Sequence, residues 1–124
     1  MTDTWQIRFF RDRDGISPVR EFIQNANLRA GELKKIKVRL RLLSHSGLKL
    51  IVERSDLVDK LEDKLYELRI DNTVNNPRII FCVLSGKRIF LLHAFKKKTQ
   101  KTPKKEITIA RHRYKQLLER EQYE

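Results

Sequence analysis

Two groups of charged residues have the types and spacing to act on a phosphate. Glu67 and Arg69 stand two apart in Leu65-Tyr66-Glu67-Leu68-Arg69-Ile70-Asp71, and six lysines fall within the ten positions from Lys96 to Lys105. Alternate residues of an extended chain share a face, so Leu65, Glu67, Arg69 and Asp71 point away from Tyr66, Leu68 and Ile70. Arginines such as Arg69 and Arg78 stay charged and grip phosphate through paired N–H groups. Glu67 could orient Arg69 or act as a base. Crowding of Lys97, Lys98 and Lys101 makes it easier for one of them to give up a proton, because each charge disfavours the next. RNA carries its own nucleophile, the 2′-hydroxyl. A protein that cuts it by internal attack need supply only a base, charge at the phosphorane, and an acid for the departing 5′-oxygen. Two plainer readings compete: Glu67 and Arg69 as a solvent-facing pair on a half-exposed strand, and the lysines as a solvated loop that keeps a sheet end from sticking to other chains.

The elements around these residues hold them in place. Ile89 to Phe95 is apolar at both parities, which predicts a strand buried on both faces. A strand of that kind fixes whatever leaves its end, here Lys96, Lys97 and Lys98. Thr102 and Pro103 predict the cap and first residue of a helix. The lysine loop is thus anchored at both ends, beside a helix N-terminus that suits an anion. Asn72 to Pro77 is turn chemistry leading into a strand from Arg78 to Leu84, and Ser85-Gly86-Lys87-Arg88 turns that strand into the central run. Trp5 to Phe10 predicts another strand.

Three helices complete the expectation. Ser17-Pro18 starts the first, with Val19, Phe22, Ile23 and Ala26 on one face. Asn27 to Gly31 interrupts it. From Glu32, the spacing of Leu33, Ile36, Leu40 and Leu43 predicts an amphipathic helix with a basic outer face. Ser44 to Leu48 ends that helix, with Gly47 in the turn. The segment up to Asp63 reads as irregular, with one helical turn near Leu57 to Leu61. Ile107, Ala110, Tyr114, Leu117 and Leu118 give a C-terminal helix, with Arg111, Arg113 and Lys115 outside the apolar stripe. The fold class is therefore α+β: a mainly antiparallel sheet of about four strands, two helices in the N-terminal half and one at the C-terminus, in a single domain over residues 1–124.

A net charge of +12 and an isoelectric point near 10.1 are high for 124 residues. The excess favours polyanions, and in a cell the abundant ones are nucleic acids. Between Lys87 and Lys115 the only acid is Glu106, so the charge forms a patch. No helix joins a broad apolar face to an interfacial tryptophan, which ranks membrane surfaces well behind. Cys82 is the sole cysteine, which excludes an internal disulfide. His45, His93 and His112 are scattered, with no ligand spacing for a metal, and His93 reads as a satisfied core histidine. No glycine loop for nucleotides and no nucleophile elbow is present, so no cofactor is expected. The absence of a signal-peptide core or a spanning run predicts a soluble cytoplasmic protein.

Beyond these physical readings, the blocks Leu65-Tyr66-Glu67-Leu68-Arg69, Arg78-Ile79-Ile80, Leu91-Leu92-His93-Ala94-Phe95, Lys97-Lys98-Thr99-Gln100-Lys101-Thr102-Pro103 and Glu106-Ile107 closely resemble the phage-derived Gp49-like, HigB-type toxins of the RelE/ParE superfamily. Ile16 to Phe22 resembles the opening of that family's first helix. The resemblance implies a RelE-like fold and the toxin of a type II toxin–antitoxin system. Its activity would be that of an mRNA interferase that enters the ribosomal A site and cuts the message without metal. It implies as partners a cognate antitoxin, usually a HigA-like helix-turn-helix protein, the ribosome and mRNA, and operator DNA reached only through the antitoxin complex. By position it implies Glu67, Arg69, Arg78, Lys97 and Lys98 as the active site. Lys96, Lys101, Thr102, Lys104, Lys105, Arg111 and Arg113 are expected to contact RNA. Two departures stand out: Lys64 occupies a position where many relatives carry glycine, and the Asn72 to Pro77 turn replaces the usual approach to Arg78. A one-residue slip there would turn Arg78 to the other face.

Two rivals remain open from the sequence. The ParE branch of the superfamily poisons DNA gyrase by protein contact and would not need Lys97 or Lys98 for RNA cleavage. A basic nucleic-acid-binding protein without catalysis would not need a carboxylate among the arginines.

Overall fold

A computed structural model describes residues 4–122. Its elements run β1 (Gln6–Phe9), α1 (Pro18–Asn25), α2 (Ala30–Ser46), α3 (Leu48–Glu53), β2 (Val58–Glu62), β3 (Leu65–Arg69), β4 (Pro77–Leu84), β5 (Arg88–Lys96) and α4 (Lys104–Gln122). The five strands form one sheet in the order β1-β5-β4-β3-β2, antiparallel except for β1 beside β5. This is the expected α+β fold with one more strand and one more helix than anticipated. Residues 1–3, 123 and 124 lie outside the described part of the single domain expected over residues 1–124.

Both faces of the sheet are covered, which explains the unbroken apolar runs of β4 and β5. Toward α1, α2 and α3, Ile79, Phe81, Ile89, Leu91 and Ala94 pack with Val19, Ile36, Leu43 and Leu50. Toward α4, Ile80, Cys82, Phe90, Leu92 and Phe95 pack with Ala110 and Leu117. The β4–β5 register shifts between Ile80 and Phe81, which pair with His93 and Leu91. This bulge sends the consecutive residues Leu92 and His93 to the same α4 side.

Local chemistry sets the element ends. The Ser17 hydroxyl accepts from the Arg20 amide at 3.3 Å and Pro18 opens α1, as the sequence predicts. Leu33, expected on the buried stripe of α2, is exposed, whereas Ile36 and Leu43 are buried. Gly47 separates α2 from α3 at φ +54°, and a Cβ there would collide with the Trp5 ring. The segment expected to be irregular instead holds α3 and β2. The helical turn expected near Leu57 to Leu61 is an edge strand, bulged between Lys60 and Glu62. Lys64, a departure from the resembled pattern, has φ +73° in the β2–β3 turn, a conformation glycine adopts without steric cost. Asn72 and Asn76 take positive φ in the next turn, which asparagine tolerates best among residues with a Cβ.

Candidate functional site

The ends of β3, β4 and β5 and the loop after β5 converge at one rim of the sheet. Arg69 on β3 is the direct cross-strand partner of Arg78 on β4, so their side chains share a face. The slip that would have turned Arg78 away is absent. Glu67 lies two residues back on that face. The Lys97 amide donates to the Asn76 carbonyl at 3.2 Å, tying the lysine loop to the start of β4. Behind the sheet, Arg39 of α2 donates to the Arg69 carbonyl at 2.5 Å and so fixes that backbone.

Glu67 is fully buried, which overturns the solvent-facing reading of the Glu67–Arg69 pair. Its Oε1 lies 3.6 Å from Arg69 Nε, 3.7 Å from Arg78 Nε and 3.9 Å from Lys97 Nζ. The Lys97 side chain is 9 % exposed and that of Arg78 7 %, against 27 % for Arg69. The other carboxylate oxygen, Oε2, accepts a hydrogen bond from the Thr102 hydroxyl. Thr102 was expected to cap the last helix. Instead the Pro103 carbonyl accepts from the Glu106 amide at 3.0 Å, which leaves the threonine free to reach across to β3.

Glu67 Oε1, Arg69 Nε and Arg78 Nε are buried and make no hydrogen bond among the described residues. Buried polar atoms are seldom left this way, because each forfeits its hydration. Two further carboxylates hold the outer edges of the arginines. Asp59 accepts from Arg69 Nη2 at 2.9 Å, and Asp71 accepts from Arg78 Nη2. Outside the cluster opens a cleft of about 430 Å³ lined by Arg69, Asp71, Asn76, Arg78, Lys97, Lys98, Thr99 and Gln100. Four of these side chains are cationic and one is acidic, so the cleft favours an anion.

The structure brings Glu67, Arg69, Arg78, Lys97 and Thr102 together and puts Lys98 on the cleft wall. The other expected RNA contacts fall elsewhere. Strand alternation turns Lys96 to the face opposite Phe95 and Arg78. Lys101, Lys104 and Lys105 are exposed on the loop and the first turn of α4, outside the cleft lining. Arg111 grips both oxygens of Glu62 at 2.8 Å, and that hydrogen-bonded ion pair holds the Glu62 carboxyl below its ordinary range. Arg113 turns inward and donates to the Leu92 carbonyl at 2.9 Å. That bond docks α4 on β5, and burial of the guanidinium lowers its pKa from the ordinary value. The α2 residues Lys34, Lys35, Lys37 and Arg41 face solvent away from the site.

Asp59, Asp71 and Asn76 escaped the sequence reading as site residues. Asp71 was legible in principle, since it shares the parity of Glu67 and Arg69. Asp59 was not, because its strand went unrecognised. His93 is satisfied, as expected: its Nε2 lies 3.1 Å from Glu106 Oε1 and its Nδ1 3.0 Å from Arg113 Nη1, with the ring stacked on Phe95. Among the described residues no group of three or more His, Cys, Asp or Glu could hold a metal ion. No helix among them is long and apolar enough to cross a membrane.

Fold and site together define a small basic α+β protein with an anion-accepting cleft at the end of its sheet. Residues 26–115 match the family described as phage derived protein Gp49-like, and the chain belongs to that family. The family is associated with toxin–antitoxin modules. No curated protein matches the chain.

Proposed function

We propose that this protein is the toxin of a type II toxin–antitoxin system and that it acts as a metal-independent, ribosome-dependent mRNA endoribonuclease in the cytoplasm. The observation that carries the reading is the cation cluster: Arg69, Arg78 and Lys97 gathered around one buried carboxylate oxygen at the floor of an open cleft. A cluster serving stability alone would be expected to close its hydrogen bonds, whereas this one leaves Arg69 Nε and Arg78 Nε unbonded beside Glu67 in residues that also line the cleft.

In the reaction the 2′-oxygen attacks the adjacent phosphorus and forms the P–O2′ bond as the P–O5′ bond breaks. The products are a 2′,3′-cyclic phosphate and a 5′-hydroxyl. One proton leaves the 2′-oxygen and one reaches the 5′-oxygen, and Lys97 and Lys98 are the cleft groups suited to carry them. Arg69 and Arg78 stabilise the charge that gathers on the phosphorane oxygens. Glu67, expected to be catalytic, is too deeply buried to meet a 2′-hydroxyl and takes the role of a positioning residue that aligns the three cations. The partners of this reading are the ribosome and its message, a neighbour-encoded antitoxin of helix-turn-helix type, and operator DNA through the complex of the two.

The test is to induce the protein without antitoxin and map the 5′ ends of cellular mRNA, with the Arg69→Ala/Lys97→Ala protein as control. New 5′-hydroxyl ends in phase with translation, absent in the control, are expected. Growth arrest with intact messages would sink the nuclease reading and turn the search to gyrase. No arrest would leave a binding protein without catalysis.

A further inference from the structure

His93 is not among the residues that line the cleft, yet it sits where α4 is joined to β5. The β4–β5 bulge turns it toward α4 beside Leu92, and its ring lies on Phe95 with centroids 5.7 Å apart. Arg113 has only donors to offer, so its contact at 3.0 Å makes Nδ1 the acceptor. Nε2 must then carry the proton, which it donates to Glu106 at 3.1 Å. The charged groups facing the ring, Glu106 and Arg113, both stand on α4, and the β4 residue paired with His93 is the apolar Ile80.

Glu106 lies in the first turn of α4, and its amide is bonded to the Pro103 carbonyl at 3.0 Å. Pro103 restricts the backbone of the residue before it, Thr102. Thr102 in turn donates to Glu67, the carboxylate at the centre of the cations. The path from His93 to Glu67 therefore runs through contiguous bonded groups of one short, stiff segment.

We propose that His93 is a positioning residue for the cleft: as the neutral Nε2–H tautomer it clamps the first turn of α4, and through it holds the Thr102 hydroxyl on Glu67 and the cations in register. This rests on the nuclease reading for its consequence in catalysis, though not for the linkage itself. Protonation at Nδ1 would remove the acceptor used by Arg113 and set a cation against it. The acid side therefore loosens α4 at Arg113, while the Nε2–H bond to Glu106 persists. Burial of the ring opposes that protonation and the Glu106 carboxylate favours it, with burial the stronger influence.

The experiment measures single-turnover cleavage of ribosome-bound message and, separately, binding of a message carrying 2′-deoxyribose at the cut site. It uses the intact wild-type, His93→Ala, His93→Gln, Thr102→Val and His93→Ala/Thr102→Val proteins. Loss of the clamp misplaces groups that never leave the site, so His93→Ala should slow cleavage on the order of 10- to 100-fold with binding little changed. His93→Gln, which can still donate to Glu106, should recover much of the rate and flatten the acid limb of the rate–pH profile. The double variant should be no slower than the slower single one, because both act on one linkage. An undiminished rate in His93→Ala, additive losses, or a loss matched by weaker binding would each overturn the proposal. Should the wild-type cut nothing, the nuclease reading falls by itself. The linkage is then decided by the Thr102 methyl resonance, which must shift in His93→Ala as it does in Glu67→Gln; an unmoved resonance overturns it.

Discussion

Two buried glutamates, Glu32 and Glu67, show the difference between a carboxylate that holds a fold and one that waits for a ligand. Glu32 is 2 % exposed and accepts from the Arg29 amide and from both the amide and the side chain of Asn75, at 2.7–2.9 Å. Burial alone would raise its pKa, but these hydrogen bonds outweigh burial and bring it down to about 2. It pins the β3–β4 turn to the start of α2, and its hydrogen bonds are closed. Glu67 has three cationic nitrogens at 3.6–3.9 Å from one oxygen and a hydrogen bond only at the other. The first arrangement is complete in itself. The second leaves Arg69 Nε and Arg78 Nε unbonded in residues that line a cleft, and that contrast is what separates a structural acid from a site.

The contrast breaks most severely if the cations around Glu67 are removed. Arg69→Ala or Lys97→Ala should each lower message cleavage on the order of 10²- to 10³-fold, as expected for a lost donor to transition-state charge. Both proteins should stay folded and keep their antitoxin binding, with a thermal midpoint partly lowered because buried Glu67 loses one of its three counter-charges. A variant that loses toxicity only because it unfolds would show a collapsed midpoint. Preserved cleavage in a folded Lys97→Ala protein would remove the lysine from the mechanism.

Glu32→Gln should show the opposite pattern: a stability loss of about 1–3 kcal/mol from weakened charge-assisted bonds, read from denaturant midpoints. Its activity per folded molecule should fall only slightly. The pH dependence has a definite sign. The native pKa of Glu32 lies below its ordinary value of 4.5, so its contribution is full above about 4.5 and is lost as pH falls toward about 2. The wild-type should lose more stability than Glu32→Gln across that window. His93 supplies a milder acid effect at higher pH: its native pKa is lowered from 6.5, so the unfolded chain takes up its proton first and stability declines as pH drops below about 6.5. His93→Gln should be flatter there.

The sequence made one of these glutamates visible and hid the other's surroundings. Strand alternation put Glu67, Arg69 and Asp71 on one face, and the all-apolar parity of β5 showed that the lysine loop had a rigid base. The site was legible because its residues sit on strongly patterned strands. Burial of Glu67 was not, because an alternating pattern cannot tell solvent on the far face from a second layer. That layer is α4, seated by Leu65, Ala110 and Leu117. Asp59 was hidden for a different reason. Its strand is a polar edge with a bulge, which destroys the period that would have revealed it. The six residues of α3 are too few to announce a helix by themselves and depend on Leu50 being buried in the core. Glu32 opened a helix in the sequence, yet its partner Asn75 lies 43 residues away, a contact no local pattern carries.

The smallest expected effect falls on the one hydrogen bond that makes Glu67 resemble Glu32. Thr102→Val keeps the shape and β-branching of the side chain and removes the donor to Glu67 Oε2. That buried oxygen then loses its partner, at a cost of about 1–3 kcal/mol. If the cost is borne by the folded protein as a whole, the denaturant midpoint falls and cleavage per folded molecule stays put, which would class Glu67 with Glu32. If the three cations instead draw the freed carboxylate toward themselves, the midpoint holds and cleavage drops about tenfold, since the arginines then spend on Glu67 what they should spend on phosphate. The second outcome is expected, because Oε1 already has three cationic nitrogens at 3.6–3.9 Å and, among the described residues, it is Thr102 that holds its partner oxygen by a hydrogen bond.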